Sequence, residues 1–315
     1  MRGRTKAEVQ REIRRLVAEA EEGRLRPDRA PTLAVWLERY LTEVASMTVR
    51  PSTLHRYRQE VRLYIAPSIG KVRIDQLRPN QVAAFYQDQL RHLSAGSVRR
   101  LHALLRRALT VAVRWRIIPA SPIAAVDPPA IHAAEVRPYN AAEALRFLRA
   151  VKGHRFEARW MLAIMLGMRQ GEVLGLAWNE VHLDQRTAYV RQALQYRPGD
   201  GLHLARPKTA RSRRTVPLPD QVLEALKLQK ERQDRARDDA GEFWEEWGLV
   251  FTTAAGTPVS PRNDYRDFRK IIERAGLRRV RLHDLRHTAA SLMLAQDVSR
   301  GSLWKYSATR RSASR

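Results

Sequence analysis

The sequence predicts a mainly α (α+β) protein in two parts, an all-helical one and then a mixed one with a small antiparallel sheet. Three observations predict it. At 315 residues the chain is long enough for two cores. Apolar residues recur at helical spacing from residue 33 to about 117, where a Pro-rich stretch interrupts them. Beyond that stretch, helical patterns alternate with short runs of period two.

Residues 3–22, rich in Arg, Glu and Ala, predict a helix that Gly23 and Pro27 end. Thr32 is the expected N-cap of the next helix, whose inward face carries Leu33, Trp36, Leu37, Tyr40 and Leu41. A second helix opens at Pro51-Ser52, and a third near Asn80 carries Val82, Phe85, Tyr86 and Leu90. The fourth, from about Ser97 to Trp115, buries Val98, Leu101, Leu105, Ala108, Leu109 and Ala112. Its other face holds Arg100, Arg107 and Arg114 at intervals of seven, with Arg99 and Arg106 beside them and no acidic residue. Solvated faces usually mix signs, so this column is better suited to tracking a phosphate backbone.

Pro119, Ser121, Pro122, Asp127, Pro128 and Pro129 break the periodicity, so 118–137 is the expected linker. Asn140 then caps a new helix. Helices are expected at 140–151, 156–168, 171–177, 219–239, 261–275 and 284–295. Strands are expected at 187–190 and 214–218, with a turn at Pro198-Gly199-Asp200-Gly201 between them.

Fifty-eight basic residues against 33 acidic ones give a formal charge of +25, which points to a polyanionic partner, nucleic acid above all. Arginine far outnumbers lysine, and its planar fork suits bidentate phosphate contacts. The absence of cysteine excludes disulfides, cysteine-based zinc sites and a thiol nucleophile. No apolar run is long enough to cross a bilayer; 161–168 is short enough for a core helix. With no signal peptide before the first charges, the expected location is the cytoplasm, on the nucleoid.

Three segments carry chemistry. Gly167-Met168-Arg169-Gln170-Gly171-Glu172 puts an arginine between two helices, with Glu172 close enough to orient it. Pro207-Lys208-Thr209 puts a protonated donor in a turn before Arg211, Arg213 and Arg214. In Arg281-Leu282-His283-Asp284-Leu285-Arg286-His287, the i, i+3 spacing sets His283 and Arg286 on one face of a helix start. His283 and His287 have metal-ligand spacing, but the Glu of His-Glu-x-x-His and a third ligand are missing, so no metal is expected. Singly, an arginine at a helix end or a lysine on a hairpin tip is ordinary surface.

In this order the three segments, with Arg-Arg-Thr-Val-Pro-Leu after the lysine, resemble the tyrosine recombinase (phage integrase) family, in particular actinobacterial mobile-element members. The resemblance implies a helical, SAM-like core-binding domain over 31–117 and a catalytic domain over 138–300. It makes 1–28 a remnant of an N-terminal arm-type DNA-binding domain. It also implies roles. Arg169 and Arg286 clamp the non-bridging oxygens of a scissile phosphate. Lys208 protonates the leaving 5′ hydroxyl, His283 assists proton transfer, and Glu172 supports the site from behind. The arginines at 99, 100, 106, 107, 114, 211, 213 and 214 are expected on double-stranded DNA at attachment sites. No cofactor is implied, because a 3′-phosphotyrosine conserves the bond energy.

The segment after residue 300 departs from the family. There a Leu-Gly-His block and then a nucleophilic tyrosine are expected, the latter roughly thirty residues past the second arginine. Tyr306 lies 20 residues past Arg286, in a basic, Ser-rich stretch, 301–315, and is not the expected nucleophile. Reading 306–314 in another frame of a GC-rich gene restores Leu-Gly-His, so a frameshifted or truncated gene is the expectation. On that expectation the chain binds attachment-site DNA without cleaving it. It is also monomeric in solution, whereas intact family members form tetramers on DNA. The other reading is a DNA-binding protein with no catalytic role. A metal-dependent transposase would need clustered carboxylates, and none stands out.

Overall fold

The computed structural model describes residues 30–131, 137–197, 199–205 and 213–295, in two compact units divided between residues 134 and 135. The expected helix at 3–22, Lys208, Arg211 and the segment holding Tyr306 lie outside the described residues.

In the first unit, α1 (Leu33–Tyr40) starts where the Thr32 hydroxyl accepts from the Val35 amide, and it runs on through a π-helical turn, Leu41–Ala45. Helix α2 (Pro51–Glu60) has a proline in its first turn and continues through a second π-helical turn, Val61–Ile65. Helices α3 (Pro79–Leu90) and α4 (Ala95–Arg114) complete the bundle. Helix α4 starts earlier than its apolar pattern indicates, because the Ser94 hydroxyl caps it by accepting from the Ser97 amide at 3.3 Å. Trp36 is fully buried, and its indole N–H donates to the Ala108 carbonyl at 3.0 Å, tying α1 to α4. Ile118 and Ile123 are buried in the same core. The start of the Pro-rich stretch therefore packs on this unit, since its apolar residues gain more from burial than a free linker would.

In the second unit, Asn140 and Glu143 cap α5 (Ala141–Val151) reciprocally, each side chain accepting from the other's amide at 2.8 Å. Helix α6 (Glu157–Ile164) is shorter than the apolar run indicates, because Gly167 turns the chain with φ of +62°. Helix α7 (Gln170–Leu174) follows at once. Strands β1 (Val181–His182), β2 (Thr187–Val190) and β5 (Arg214–Pro217) form an antiparallel sheet in the order β1-β2-β5. Strands β3 (Ala193–Arg197) and β4 (Gly201–Ala205) pair as a separate hairpin. Their burial is mostly partial, so the alternation that marks β2 is weak there. Helices α8 (Asp220–Ala240), α9 (Pro261–Arg274) and α10 (Asp284–Ala295) finish the unit.

Two cores hold this unit. One joins the sheet to α6, α7 and α8 through Leu162, Val173, Val216 and Leu226. The other joins α5, α6, α9 and α10, with Trp160 stacked on Phe268 at 6.0 Å and Phe147 edge-on to Trp160 at 6.2 Å. Among the described residues no helix is long and apolar enough to cross a membrane.

Candidate functional site

Glu172, in the first turn of α7, organises the site. Its carboxylate accepts from the Arg169 amide at 2.9 Å and from Arg169 Nη1 at 2.8 Å. The same two oxygens accept a bidentate fork from Arg214, the first residue of β5, at 3.1 and 2.8 Å. The Glu172 side chain is 6% exposed. Burial alone would raise its pKa, but the Arg214 fork and the Arg169 contacts outweigh burial and hold it at about 2. Glu172 is therefore an anion across the physiological range.

Helix α7 can sit here because two glycines let it lie against β3. A β-carbon at Gly171 would stand 2.7 Å from the Leu194 carbonyl oxygen, and one at Gly175 would stand 2.6 Å from the Leu194 amide nitrogen. Behind the helix runs a buried ion pair. Arg159 of α6 donates to both oxygens of Asp264 on α9, at 2.5 and 2.6 Å, and both side chains are excluded from solvent. Gln170, the neighbour of Arg169, donates to the same Asp264 and to the Pro261 carbonyl, each at 2.8 Å. The guanidinium of Arg159 lies 3.9 Å from the centroid of the Trp160 ring.

Arg286 comes from the first turn of α10 and donates to the Gly167 carbonyl at 2.6 Å. Burial and the charges of Arg169 and Arg214 depress its pKa to about 10, and Glu172 opposes them. Among the described residues, three guanidiniums thus gather near one carboxylate, and positive charge is concentrated there. His283, on the turn before α10, packs edge-on against His287, with ring centroids 5.4 Å apart. Burial of part of its ring lowers its pKa, and so do His287, Arg286 and Arg169. Asp284 accepts from the Arg281 amide at 2.9 Å and fixes the start of α10. Such an arrangement can grip a singly or doubly charged anion and stabilise charge that develops on its oxygens.

The structure therefore brings Arg169, Glu172, His283 and Arg286 together. It adds Arg214 to them, with a side chain 10% exposed and turned inward, whereas the neighbouring Arg213 faces solvent. Sequence reasoning grouped both with the DNA-facing arginines. The signal that separates them is the period of β5: Arg214 alternates in phase with buried Val216, and Thr215 and Pro217 face out. Among the described residues, no group of three or more His, Asp or Glu side chains is placed to hold a metal ion.

The arginines of α4 are also divided. Arg99, Arg106, Arg107 and Arg114 line an open cleft of about 730 Å³ in the first unit, floored by Ala103 and Thr110. Arg107 donates to the Tyr57 hydroxyl at 2.6 Å, and Arg99 to the Pro129 carbonyl at 3.2 Å. Arg100 points elsewhere, toward Glu60, Ser97 and the Gly96 carbonyl.

Comparison with known proteins agrees with this architecture. The model of the phage integrase family matches residues 139–308, and that of the phage integrase N-terminal SAM-like domain matches 32–90. An integrase of Saccharopolyspora erythraea is 27% identical, over 93% of this chain and 80% of the relative. An integrase of Streptomyces ambofaciens is also 27% identical, over 94% and 78%. The Tn1549 transposon integrase, solved with a circular intermediate DNA, shares the fold at a TM-score of 0.77 and 15% identity, over 90% of this chain and 92% of that one. A lambda integrase tetramer bound to a Holliday junction shares it at a TM-score of 0.68 and 18% identity, over 97% and 88%. On the family match, which spans more than half its length, this chain belongs to the phage integrase family of tyrosine recombinases.

Proposed function

We propose that the chain binds attachment-site DNA and holds one backbone phosphate in the clamp of the second unit. The observation that carries this reading is the convergence of three guanidiniums and His283 at one place. Arg169 is fixed by Glu172 and Arg286 by the Gly167 carbonyl, and positive charge concentrated in this way suits a phosphate. In this reading Arg169 and Arg286 take the non-bridging oxygens. His283, held toward its neutral form, hydrogen-bonds the phosphate and passes a proton. Lys208 is assigned the general acid by its place in the family motif.

Tyr306 lies 20 residues past Arg286, roughly ten short of where the family places its nucleophile, and is not assigned that role. In the first unit, Arg99, Arg106, Arg107 and Arg114 contact the phosphate backbone and supply salt-sensitive affinity. Without DNA the chain is monomeric, which sedimentation would report directly.

The test starts with a duplex selected by the chain from a random pool, then rebuilt with a nick beside each candidate cleavage phosphate. Salt-sensitive retention is expected, with no covalent band through Tyr306 on a denaturing gel. A covalent protein–DNA band that Tyr306→Phe abolishes would show that the chain cleaves. Retention unchanged by Arg169→Ala and Arg286→Ala together would remove the clamp.

A further inference from the structure

We infer that Arg214 is a positioning residue of the phosphate clamp, acting through Glu172, and not a DNA contact; this rests on the clamp reading above. Its guanidinium is spent on Glu172 through two parallel hydrogen bonds, at 3.1 and 2.8 Å, and its side chain is 10% exposed. An arginine so placed has little left to offer a DNA strand at the surface.

Its effect on Glu172 is specific. Each carboxylate oxygen receives one nitrogen of Arg214 and one of Arg169, so the two arginines share one plane of acceptors. Arg214 bonds both oxygens at once and so fixes the rotation of the carboxylate. That rotation in turn fixes both the backbone amide and Nη1 of Arg169. Without Arg214, burial would act on Glu172 against a single partner, and its proton affinity would rise. A protonated Glu172 would also lose one of its acceptor sites and release Arg169. Arg214 also adds to the positive field on Arg286. Removing it loosens one clamp arginine and relaxes the other.

The origin of the residue in β5 supports the assignment. Ladder pairing of Val190 with Arg214 and of Ala188 with Val216 sets the register of the strand, so the inward position is fixed by backbone and not by rotamer choice. A lysine there has a point charge and could not present two parallel N–H groups, one to each oxygen.

The experiment titrates the full chain with inorganic phosphate and follows arginine side-chain Nε resonances by NMR, assigned with Arg169→Lys and Arg286→Lys. In the native chain the Arg169 and Arg286 signals are expected to shift together along one binding curve. In Arg214→Met the apparent affinity on those signals is expected to fall about tenfold, and Arg214→Lys to recover less than half of the loss. Glu172→Gln should show a similar loss, and Arg214→Met/Glu172→Gln should be no worse than either alone. Carboxyl carbon spectra supply a second readout, in which Glu172 begins to titrate above pH 4 only when Arg214 is absent. If Arg214→Met binds phosphate as the native chain does, while Arg169→Lys and Arg286→Lys weaken it, the role of Arg214 is wrong and the clamp stands. If phosphate leaves the native Arg169 and Arg286 signals unmoved, the clamp reading falls and this inference falls with it. Should Arg214→Met not fold, Glu172→Gln and Arg214→Lys give the same decision.

Discussion

The two units present arginines in opposite ways. In the first, one helix carries Arg99, Arg106, Arg107 and Arg114 along an open cleft, and none of them makes an ion pair among the described residues. In the second, arginines from the start of α7, from β5 and from α10 converge around a buried Glu172. The first arrangement costs the fold almost nothing, because solvated cations keep their water. The second removes charges from water and must return the loss through fixed hydrogen bonds. A surface that grips many phosphates tolerates loose side chains. A site that acts on one phosphate needs preorganised ones.

The sharpest way to break this contrast is to remove one carboxylate from behind the clamp. Asp264→Ala leaves Arg159, at 0% exposure, in the core with no counter-charge. Breaking a buried pair in this way costs about 3–5 kcal/mol. Urea unfolding should show the loss in the second unit, and replacing both partners by apolar residues (Arg159→Met with Asp264→Leu) should restore most of it. If Asp264→Ala costs under about 1 kcal/mol, the clamp is not built on a buried frame.

Acid provides the next test. The pKa of Glu172 is depressed in the folded state, to about 2 against an ordinary value of 4.5. Its stabilisation is therefore complete above about pH 4.5 and is lost as pH falls toward 2. The shift corresponds to roughly 3 kcal/mol. Glu143 and Asp284 are depressed as well and add to the loss in the same direction. Glu172→Gln should flatten the acid limb of the stability curve by about its own share. An unchanged limb would mean that the fork of Arg214 leaves Glu172 with an ordinary proton affinity.

How much of each region the sequence discloses follows from its geometry. The α4 face is written in one helix, so intervals of seven residues are enough to find it, and the helical first unit follows from the same periodicity. What spacing leaves out is the side each arginine takes. Arg100 falls toward Glu60, forty residues away in sequence, while Arg107 about two turns on lines the cleft. The clamp is assembled where Arg214 and Arg286, distant in sequence, meet Arg169 at Glu172, and the ordered family motif, which contains all three, gives a phosphate role to only two of them. The alternation of β5 holds the clue to the third, but four residues between turns carry little statistical weight. The Arg159–Asp264 pair left no trace, since neither residue belongs to a motif and their meeting depends on α6 packing on α9. Helix ends shifted where a cap or a glycine, and not the apolar pattern, ended them, as at Ser94 and Gly167.

On the open side of the comparison, single changes should be mild and salt-dependent. Arg106 and Arg114 are separated by about two turns on the cleft face. Arg106→Ala and Arg114→Ala should each change stability by less than about 0.5 kcal/mol. Each should lower the slope of log affinity for duplex DNA against log salt by about 1. Fluorescence anisotropy on a short duplex at several salt concentrations measures it. A slope unchanged in the double variant would take α4 off the DNA.

Arg100 gives the smallest expected effect and the finest test, because it differs from its neighbours only in direction. It shares the helix, the charge and the interval of seven with Arg107 and Arg114, and sequence alone gives no reason to treat it differently. Its side chain, however, turns to Glu60, which also has Arg56 within reach. Burial raises the Glu60 pKa, and Arg56 and Arg100 together oppose the rise. Arg100→Ala should therefore leave the salt slope of DNA binding where it was, because the lost cation faces a carboxylate and not a phosphate. Its cost should appear in stability, at about 0.5 kcal/mol, since Arg100 itself is half exposed and Arg56 remains to compensate. Should the slope fall as far as in Arg106→Ala, the whole basic face of α4 works as one diffuse field, and the division between cleft and flank has no meaning for binding.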